Sequence, residues 1–325
     1  MLTLPTRAEL DVAAAIVYGA MPPTPQFSWP LLNEALGTPA WVKHENHTPT
    51  GAFKVRGGLV YLHGLQQREP GVTGIVSATR GNHGQSLAFA ARRHGIAATI
   101  VVPHGNSVEK NAAMRSLGAQ LVEHGDDFQA SREFAIGMAR REGLHMVPSC
   151  HPDLVAGVAS YWLELLHAQP GLDTVFVPIG QGSGFCAAVA AREALGLRTR
   201  IIGVVSTHAP AYLDSFRSGE LREAPSTTVL ADGMACRTPD PDSLAVVLRH
   251  ADDVVAVSDA EVARAMRLYY RCTHNLAEGA GAAALAAAMQ LKHDPRVAGR
   301  KVGLPLTGAN VDAEAMMRVL SEVLP

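Results

Sequence analysis

The sequence predicts an α/β protein built on parallel sheets, and three observations carry that prediction. Short β-branched runs alternate with helical patterns along the chain, which is the signature of strand–helix–strand units. The length of 325 residues, with 47% hydrophobic and 18% charged residues, suits a compact globular chain divided into two domains. Glycine-bearing loops stand at two strand–helix junctions, where open α/β sheets bind ligands.

The elements follow in order. Pro49 and Gly51 punctuate the chain before an apolar periodic stretch, which puts Lys54 in the first turn of a helix. Gly74-Ile75-Val76-Ser77-Ala78 reads as a strand, followed by a loop, a helix over 85–94 and a stop at Gly95. Strands over 98–102 and 120–123, with helices over 110–117 and 128–141, complete a first block. After His145-Met146-Val147, a helix over 154–167 leads to a buried strand over 174–179 that ends in a glycine loop. A helix reaching Leu195 and a strand over 200–205 come next, and the turn-rich stretch 208–241 resists assignment. A strand at 254–257, two helical stretches, a strand over 301–306 and a terminal helix finish the chain.

Composition narrows the function. A net charge of −2 leaves no electrostatic footprint for nucleic acid or an anionic membrane, so a small-molecule substrate is expected. The four cysteines are dispersed without a CxxC pair, which fits a reducing cytoplasm better than a disulfide framework or zinc site. No signal peptide is apparent, and the longest apolar tract, around 280–289, is too short to span a bilayer. A cytoplasmic location follows as the expectation. The fourteen histidines lack HExxH spacing, and His44, His47, His104 and His151 read as loop or surface residues. There is no GxSxG elbow, and the stripes at Tyr161-Trp162 and Tyr269-Tyr270 read as helix core.

Four segments carry candidate chemistry. In Thr48-Pro49-Thr50-Gly51-Ala52-Phe53-Lys54, the lysine faces the positive end of a helix dipole, which disfavours its ammonium form. An easily neutralised amine is what Schiff-base chemistry needs; the alternative is a surface lysine beside Arg56. Gly180-Gln181-Gly182-Ser183-Gly184, between strand and helix, offers converging amides and a helix N-terminus to a phosphate, or else is a tight turn. A dinucleotide fingerprint fails there: Phe185 stands at its third position, and Val204-Val205-Ser206 ends the next strand without an acidic residue. Ser77-Ala78-Thr79-Arg80-Gly81-Asn82-His83-Gly84-Gln85 is a second ligand-loop candidate, with Asn82 as ligand donor or plain turn residue. Leu306-Thr307-Gly308-Ala309-Asn310 ends the last strand and turns a hydroxyl toward the same crevice.

In this order and spacing the segments resemble the serine/threonine dehydratase branch of the fold-type II pyridoxal-phosphate enzymes, which includes serine racemase. The resemblance runs from about Thr24 to Asp312. It implies a tryptophan synthase β-like fold of two open twisted α/β domains, with residues 51–145 a smaller domain inserted into a larger one made of 1–50 and 146–325. Pyridoxal 5'-phosphate would lie in the cleft, held as a Schiff base by Lys54. Phe53 would pack on its ring, Asn82 would bond its phenolic oxygen, Gly180, Gln181, Gly182, Ser183 and Gly184 would cradle its phosphate, and Thr307 would face its ring nitrogen. Glu278 matches a family glutamate near the site. Thr79, Gly81 and His83, with neighbouring amides, would receive the substrate carboxylate, and Arg132 matches an arginine that can contact such carboxylates, or else lies on the surface of its helix. The implied reaction is elimination of water from an L-β-hydroxy amino acid to give a 2-oxo acid and ammonia, by a homodimer or higher homo-oligomer.

The sequence departs from the family in three places. Arg80 replaces a serine or alanine; in serine racemase that serine is the second acid/base, so racemisation is disfavoured, and Arg80 either meets an anionic substrate group or pairs with a local carboxylate. Val205 and Ala211 stand where many members carry acidic ligands, so no metal is expected. The chain stops soon after the last strand, which leaves no room for a regulatory domain. The wording around Thr79-Arg80-Gly81 and Ala231-Asp232-Gly233-Met234 is similar to a subgroup that includes hydroxyectoine-utilisation and phenylserine dehydratases. Phenylserine, 3-hydroxyaspartate and hydroxyectoine-derived amino acids therefore stand beside threonine and serine as substrates.

Overall fold

Strands that are apolar on both faces need cover on both sides, and helices supply it here. A computed structural model describes residues 2–321. In chain order, α1 (Arg7–Tyr18), β1 (Gln26–Phe27), α2 (Pro30–Leu36) and β2 (Ala40–His44) lead to a 3-10 turn at Glu45–His47 and to α3 (Lys54–Arg68). Next come β3 (Gly74–Ala78), α4 (Asn82–Arg93), β4 (Ala97–Val102), α5 (Val108–Ser116), β5 (Gln120–Glu123), α6 (Phe128–Glu142) and β6 (His145–Met146). The rest runs α7 (Pro152–Ala168), β7 (Thr174–Pro178), α8 (Ser183–Ala194), β8 (Arg200–Ser206) and α9 (Ala211–Ser218). After a 3-10 turn at Asp232–Met234 follow α10 (Pro241–His250), β9 (Asp253–Val257), α11 (Asp259–Thr273), α12 (Gly279–Gln290), β10 (Val302–Leu306) and α13 (Ala313–Leu320).

Two sheets result. One has the order β1-β2-β10-β7-β8-β9 and the other β5-β4-β3-β6. Every pairing is parallel except β1 with β2. Successive side chains leave a strand on opposite faces, and the cores obey that rule. Val175 and Val177 of β7 join the core with α7 and α8, whereas Phe176 joins the core with α11 and α12. In the smaller sheet Ile100 and Val102 pack with α4, while Val101 packs against Ala135 and Met138 of α6. The apolar tract around 280–289 is α12, buried over Gly279 to Ala288 against the six-stranded sheet. No helix among the described residues is long and apolar enough to cross a membrane.

The connectivity creates a crevice. Strands β7 and β10 are parallel neighbours, yet α8 after β7 packs in one core and α13 after β10 in the other. Their carboxyl ends therefore part at a topological switch point, where open α/β sheets bind ligands. Helix α3 brings Lys54 there. It crosses α7 at two facing glycines: a Cβ on Gly157 would lie 2.3 Å from the Arg56 carbonyl, and one on Gly57 would lie 2.9 Å from that of Leu154.

Several parts of the fold depart from the sequence reading. Helices α1 and α2 and strands β1 and β2 precede the first element it assigned, and α9 lies within the stretch it left open. His44 is buried at the end of β2, accepts a hydrogen bond from Trp29 Nε1 at 3.0 Å and is pushed down to about 4, chiefly by burial. Tyr161, Trp162 and Tyr269 are core, whereas Tyr270 is 41% exposed, one helical position away from the buried face of α11. Arg56 is fully buried. Its guanidinium donates to Glu45 at 2.7 and 3.0 Å and to Glu164 at 2.6 and 3.1 Å, and Lys43 reaches Glu164 at 2.5 Å.

Candidate active site

The carboxyl ends of β3, β7 and β10 open into one cavity. Its wall contains Phe53, Lys54, Thr79, Arg80, Gly81, Asn82, His83, Gly180, Gln181, Gly182, Ser183, Gly184, Glu278 and Thr307. Every residue singled out in the sequence for cofactor or substrate lies in that wall except Arg132. Arg132 is exposed on α6, because its neighbour Ser131 turns inward and bonds the carbonyls of His124 and Asp127. The next helical position is rotated by about 100°, which takes Arg132 off the inner face.

Lys54 is the first residue of α3, as the turn signals predict. Its amine donates to Ser183 Oγ at 3.1 Å. Burial lowers its pKa to about 8, opposed by Cys150. The sequence points to the helix end as the cause; in the structure enclosure by protein also lowers it. Ser86 Oγ, in α4, donates to the Lys54 carbonyl at 2.6 Å and so ties the lysine's backbone to the smaller sheet.

Gly180 to Gly184 turn the chain from β7 into α8. Gly182, the residue before the helix, has φ +95°, and a Cβ there would sit 2.4 Å from that of Ser243. Only glycine meets both demands. No side chain caps α8, so the N–H groups of Ser183 and Gly184 have no intrahelical acceptor. Helix α4 starts the same way behind Gly81, which likewise provides no side-chain cap, and leaves the N–H groups of Asn82 and His83 free of intrahelical partners.

The remaining polar groups are interlocked. Asn82 donates to Glu278 Oε1 at 2.5 Å and accepts from Asn310 at 2.8 Å, which leaves one N–H of its amide available. Glu278 is 3% exposed, and burial raises its pKa although Lys110 pulls the other way. Lys110 lies 2.6 Å from Asp232 and 3.5 Å from Glu278; burial opposes its charge, but the two carboxylates outweigh that and raise its pKa. The His83 ring is neutral, pushed down to about 3 by burial and by Lys54, and its Nε2 has no hydrogen-bond partner. Thr307 is buried, with its hydroxyl 3.4 Å from the Ala280 carbonyl and its own carbonyl accepting from Phe53 N.

Lys110 and Asp232 were not singled out as site residues in the sequence. Lys110 looks there like any polar residue in the first turn of a helix. The hint was the turn Ala231-Asp232-Gly233-Met234, since Asp232, Gly233 and Met234 all line the cavity. Phe128 and Ser149 also line it and carried no signal.

These residues fit pyridoxal phosphate. A buried amine of lowered pKa stands beside a glycine loop whose helix-end N–H groups lack acceptors, which suits an aldehyde and a phosphate on one ligand. A Cβ on Gly184 would reach within 3.7 Å of the Phe53 ring, so an aromatic face adjoins that loop.

Comparison with known proteins agrees. The profile of a family described as pyridoxal-phosphate dependent enzyme matches residues 17–308. The L-threonine ammonia-lyase of Thermotoga maritima is 32% identical over 295 residues, or 90% of this chain and 73% of that protein. The L-threo-3-hydroxyaspartate ammonia-lyase of Saccharomyces cerevisiae is 28% identical across 98% of each chain. Among solved structures, a pyridoxal 5'-phosphate-dependent aspartate racemase matches with a TM-score of 0.90 at 27% identity, over 97% of this chain and 98% of that one. The profile match takes in every loop of the cavity, and the chain belongs to the family of pyridoxal-phosphate dependent enzymes.

Proposed function

We propose that the chain is an ammonia-lyase for an L-β-hydroxy amino acid, eliminating water and releasing ammonia and a 2-oxo acid. The observation that carries the reading is the meeting of Lys54 with the N-terminus of α8, amine to Ser183 Oγ at 3.1 Å, beside the β3–α4 loop. The L-threonine and L-threo-3-hydroxyaspartate ammonia-lyases among the relatives support the substrate class.

When bound, pyridoxal phosphate supplies the electron sink that makes the substrate's α-proton removable. The chain does the rest. Glycines 180, 182 and 184, with Gln181 and Ser183, would hold the phosphate; Phe53 would adjoin the ring, Asn82 would offer its free N–H, and Thr307 would offer a neutral hydroxyl to the ring nitrogen. Thr79 and the N–H groups of Gly81, Asn82 and His83 receive the substrate carboxylate. Lys54 Nζ, whose lowered pKa of about 8 gives it a larger neutral fraction than an ordinary lysine, takes the α-proton in its neutral form, and Ser183 Oγ holds the amine in position.

The reading also takes residues 51–145 as the smaller domain against 1–50 and 146–325, because the four-stranded sheet falls between Gly74 and Met146, within one residue of that bound. Racemisation is the second reading, favoured by likeness to the aspartate racemase. It needs a second base, and the candidates are poor: a guanidinium such as that of Arg80 is a poor proton acceptor, and neutral His83 is held at about 3.

The test is 2-oxo acid release by cofactor-loaded protein from L-threonine, L-serine, 3-hydroxyaspartate and phenylserine, with D-isomers as controls. Release from an L-isomer that disappears in Lys54→Ala is expected. Release undiminished in Lys54→Ala, or enantiomer exchange without release, would overturn the reading.

A further inference from the structure

We propose that Arg80 makes the site selective for a substrate whose side chain carries a second acidic group, such as a β-carboxylate. The inference rests on the amino-acid reading of the cavity just given, and it starts from which charged groups of the wall are paired.

Arg80 lies in the β3–α4 loop, part-buried in the cavity wall, and makes no ion pair or side-chain hydrogen bond among the described residues. The wall contains two acidic residues, Asp232 and Glu278, and both sit on Lys110. No carboxylate of the wall is left over for Arg80.

The anions that an amino acid and its cofactor bring already have receivers. The uncapped start of α8 takes a phosphate, on the six-stranded sheet. The uncapped start of α4, with the Thr79 hydroxyl, takes one carboxylate. Arg80 is then the one wall guanidinium left without an anionic partner in contact. A guanidinium presents a fixed fork of donors that matches a carboxylate in two parallel hydrogen bonds. A neutral side chain would leave that fork unpaired in a part-buried place, and sites built this way discriminate against ligands lacking the group.

The probes are L-aspartate, which has the second carboxylate but no β-hydroxyl to lose, and L-α-aminobutyrate, which has neither. Each is titrated into cofactor-loaded protein, and binding is read from the cofactor absorbance, so no turnover is needed. Aspartate is expected to bind about 10- to 100-fold more tightly than aminobutyrate, a preference that weakens with added salt. In Arg80→Gln the ratio of the two dissociation constants should fall toward one, and Arg80→Lys should keep part of it. Cofactor absorbance confirms that each variant is folded and loaded; if Arg80→Gln does not load, the ratio in Arg80→Lys decides, a preference equal to wild type counting against the proposal.

Three results overturn it: no preference for aspartate in the wild type, a ratio unchanged by Arg80→Gln, or an equal loss for both ligands. The last would give Arg80 to the α-carboxylate. Failure of the lyase reading looks different. There, no hydroxy amino acid releases a 2-oxo acid, while the binding ratio still tests Arg80.

Discussion

Replacing Arg56 with methionine should destabilise the protein strongly, and the reason is charge balance. Arg56 and Glu45 are both 0% exposed. With Lys43 and Glu164 they make a core of two cations and two anions, so Arg56→Met leaves one negative charge in excess. Glu164 would keep Lys43 at 2.5 Å, but Glu45 would keep only the Thr24 hydroxyl. Removing one partner of a buried pair costs about 3–5 kcal/mol. At an unfolding entropy of about 2.1 cal/mol/K per residue, 325 residues give roughly 0.7 kcal/mol/K, so Tm should fall by about 4–7 °C. The assay is thermal unfolding of cofactor-loaded protein, followed by circular dichroism. Arg56→Met combined with Glu45→Gln restores neutrality and should recover at least half of the loss. A single variant that loses under 1 °C, or a double variant no more stable than the single, would refute the reasoning and leave side-chain packing as the cause.

Gly182→Ala adds a left-handed residue and a Cβ 2.4 Å from that of Ser243, so cofactor affinity should fall at least tenfold by equilibrium dialysis, with a stability loss of about 1–3 kcal/mol. In cofactor-free protein, acylation of Lys54 by a trace amine reagent should rise with a midpoint near pH 8, followed by peptide mass spectrometry; a midpoint above 10 would contradict burial as the cause. Because the folded pKa of Lys54 is depressed, its amine costs stability as pH falls from 10.5 toward 8, so the same protein should lose Tm over that window. Lys110→Met strips the cation from Glu278, at a cost of about 3 kcal/mol near neutral pH. A raised carboxyl pKa gives stability that is present at low pH and lost as pH rises, so the deficit in Tm against wild type should be larger at pH 8 than at pH 5.

What could be read from the sequence was local. The strand β3, the turn into α3 and the glycine loop before α8 rest on residues adjacent in the chain, and their chemistry shows in a window of ten. The elements that escaped depend on distant partners. Strand β2 contains Lys43 and also His44, which reads as a loop or surface residue; they are buried because Glu164, 121 positions beyond Lys43, pairs with the lysine and Trp29 Nε1 donates to the histidine. Lys110 belongs to the site only through Asp232 and Glu278, which lie 122 and 168 positions further on. Arg132 shows the opposite case, in which the surface alternative is the one the structure displays. The resemblance supplied a role, but the inward turn of Ser131 sets the phase of α6 and puts the arginine outside.

The same distant partners separate three cations that share one neighbourhood but do different work. Arg56 stands two residues after Lys54, yet its charge is balanced within the core by Glu45 and Glu164. Lys110 is nearly as enclosed and is held protonated by two carboxylates, so it cannot serve as a base at neutral pH. Lys54 has no carboxylate within salt-bridge distance among the described residues, and burial therefore acts on it almost unopposed. Environments that push the pKa values of like groups apart are what assign acid and base roles in a site. An acidic residue placed beside Lys54 would raise its pKa toward that of Lys110 and shrink the neutral fraction of its amine. The pairing of Asp232 and Glu278 with Lys110, and of Glu45 and Glu164 with Arg56, thus protects the reactivity of Lys54 by keeping every nearby carboxylate occupied elsewhere.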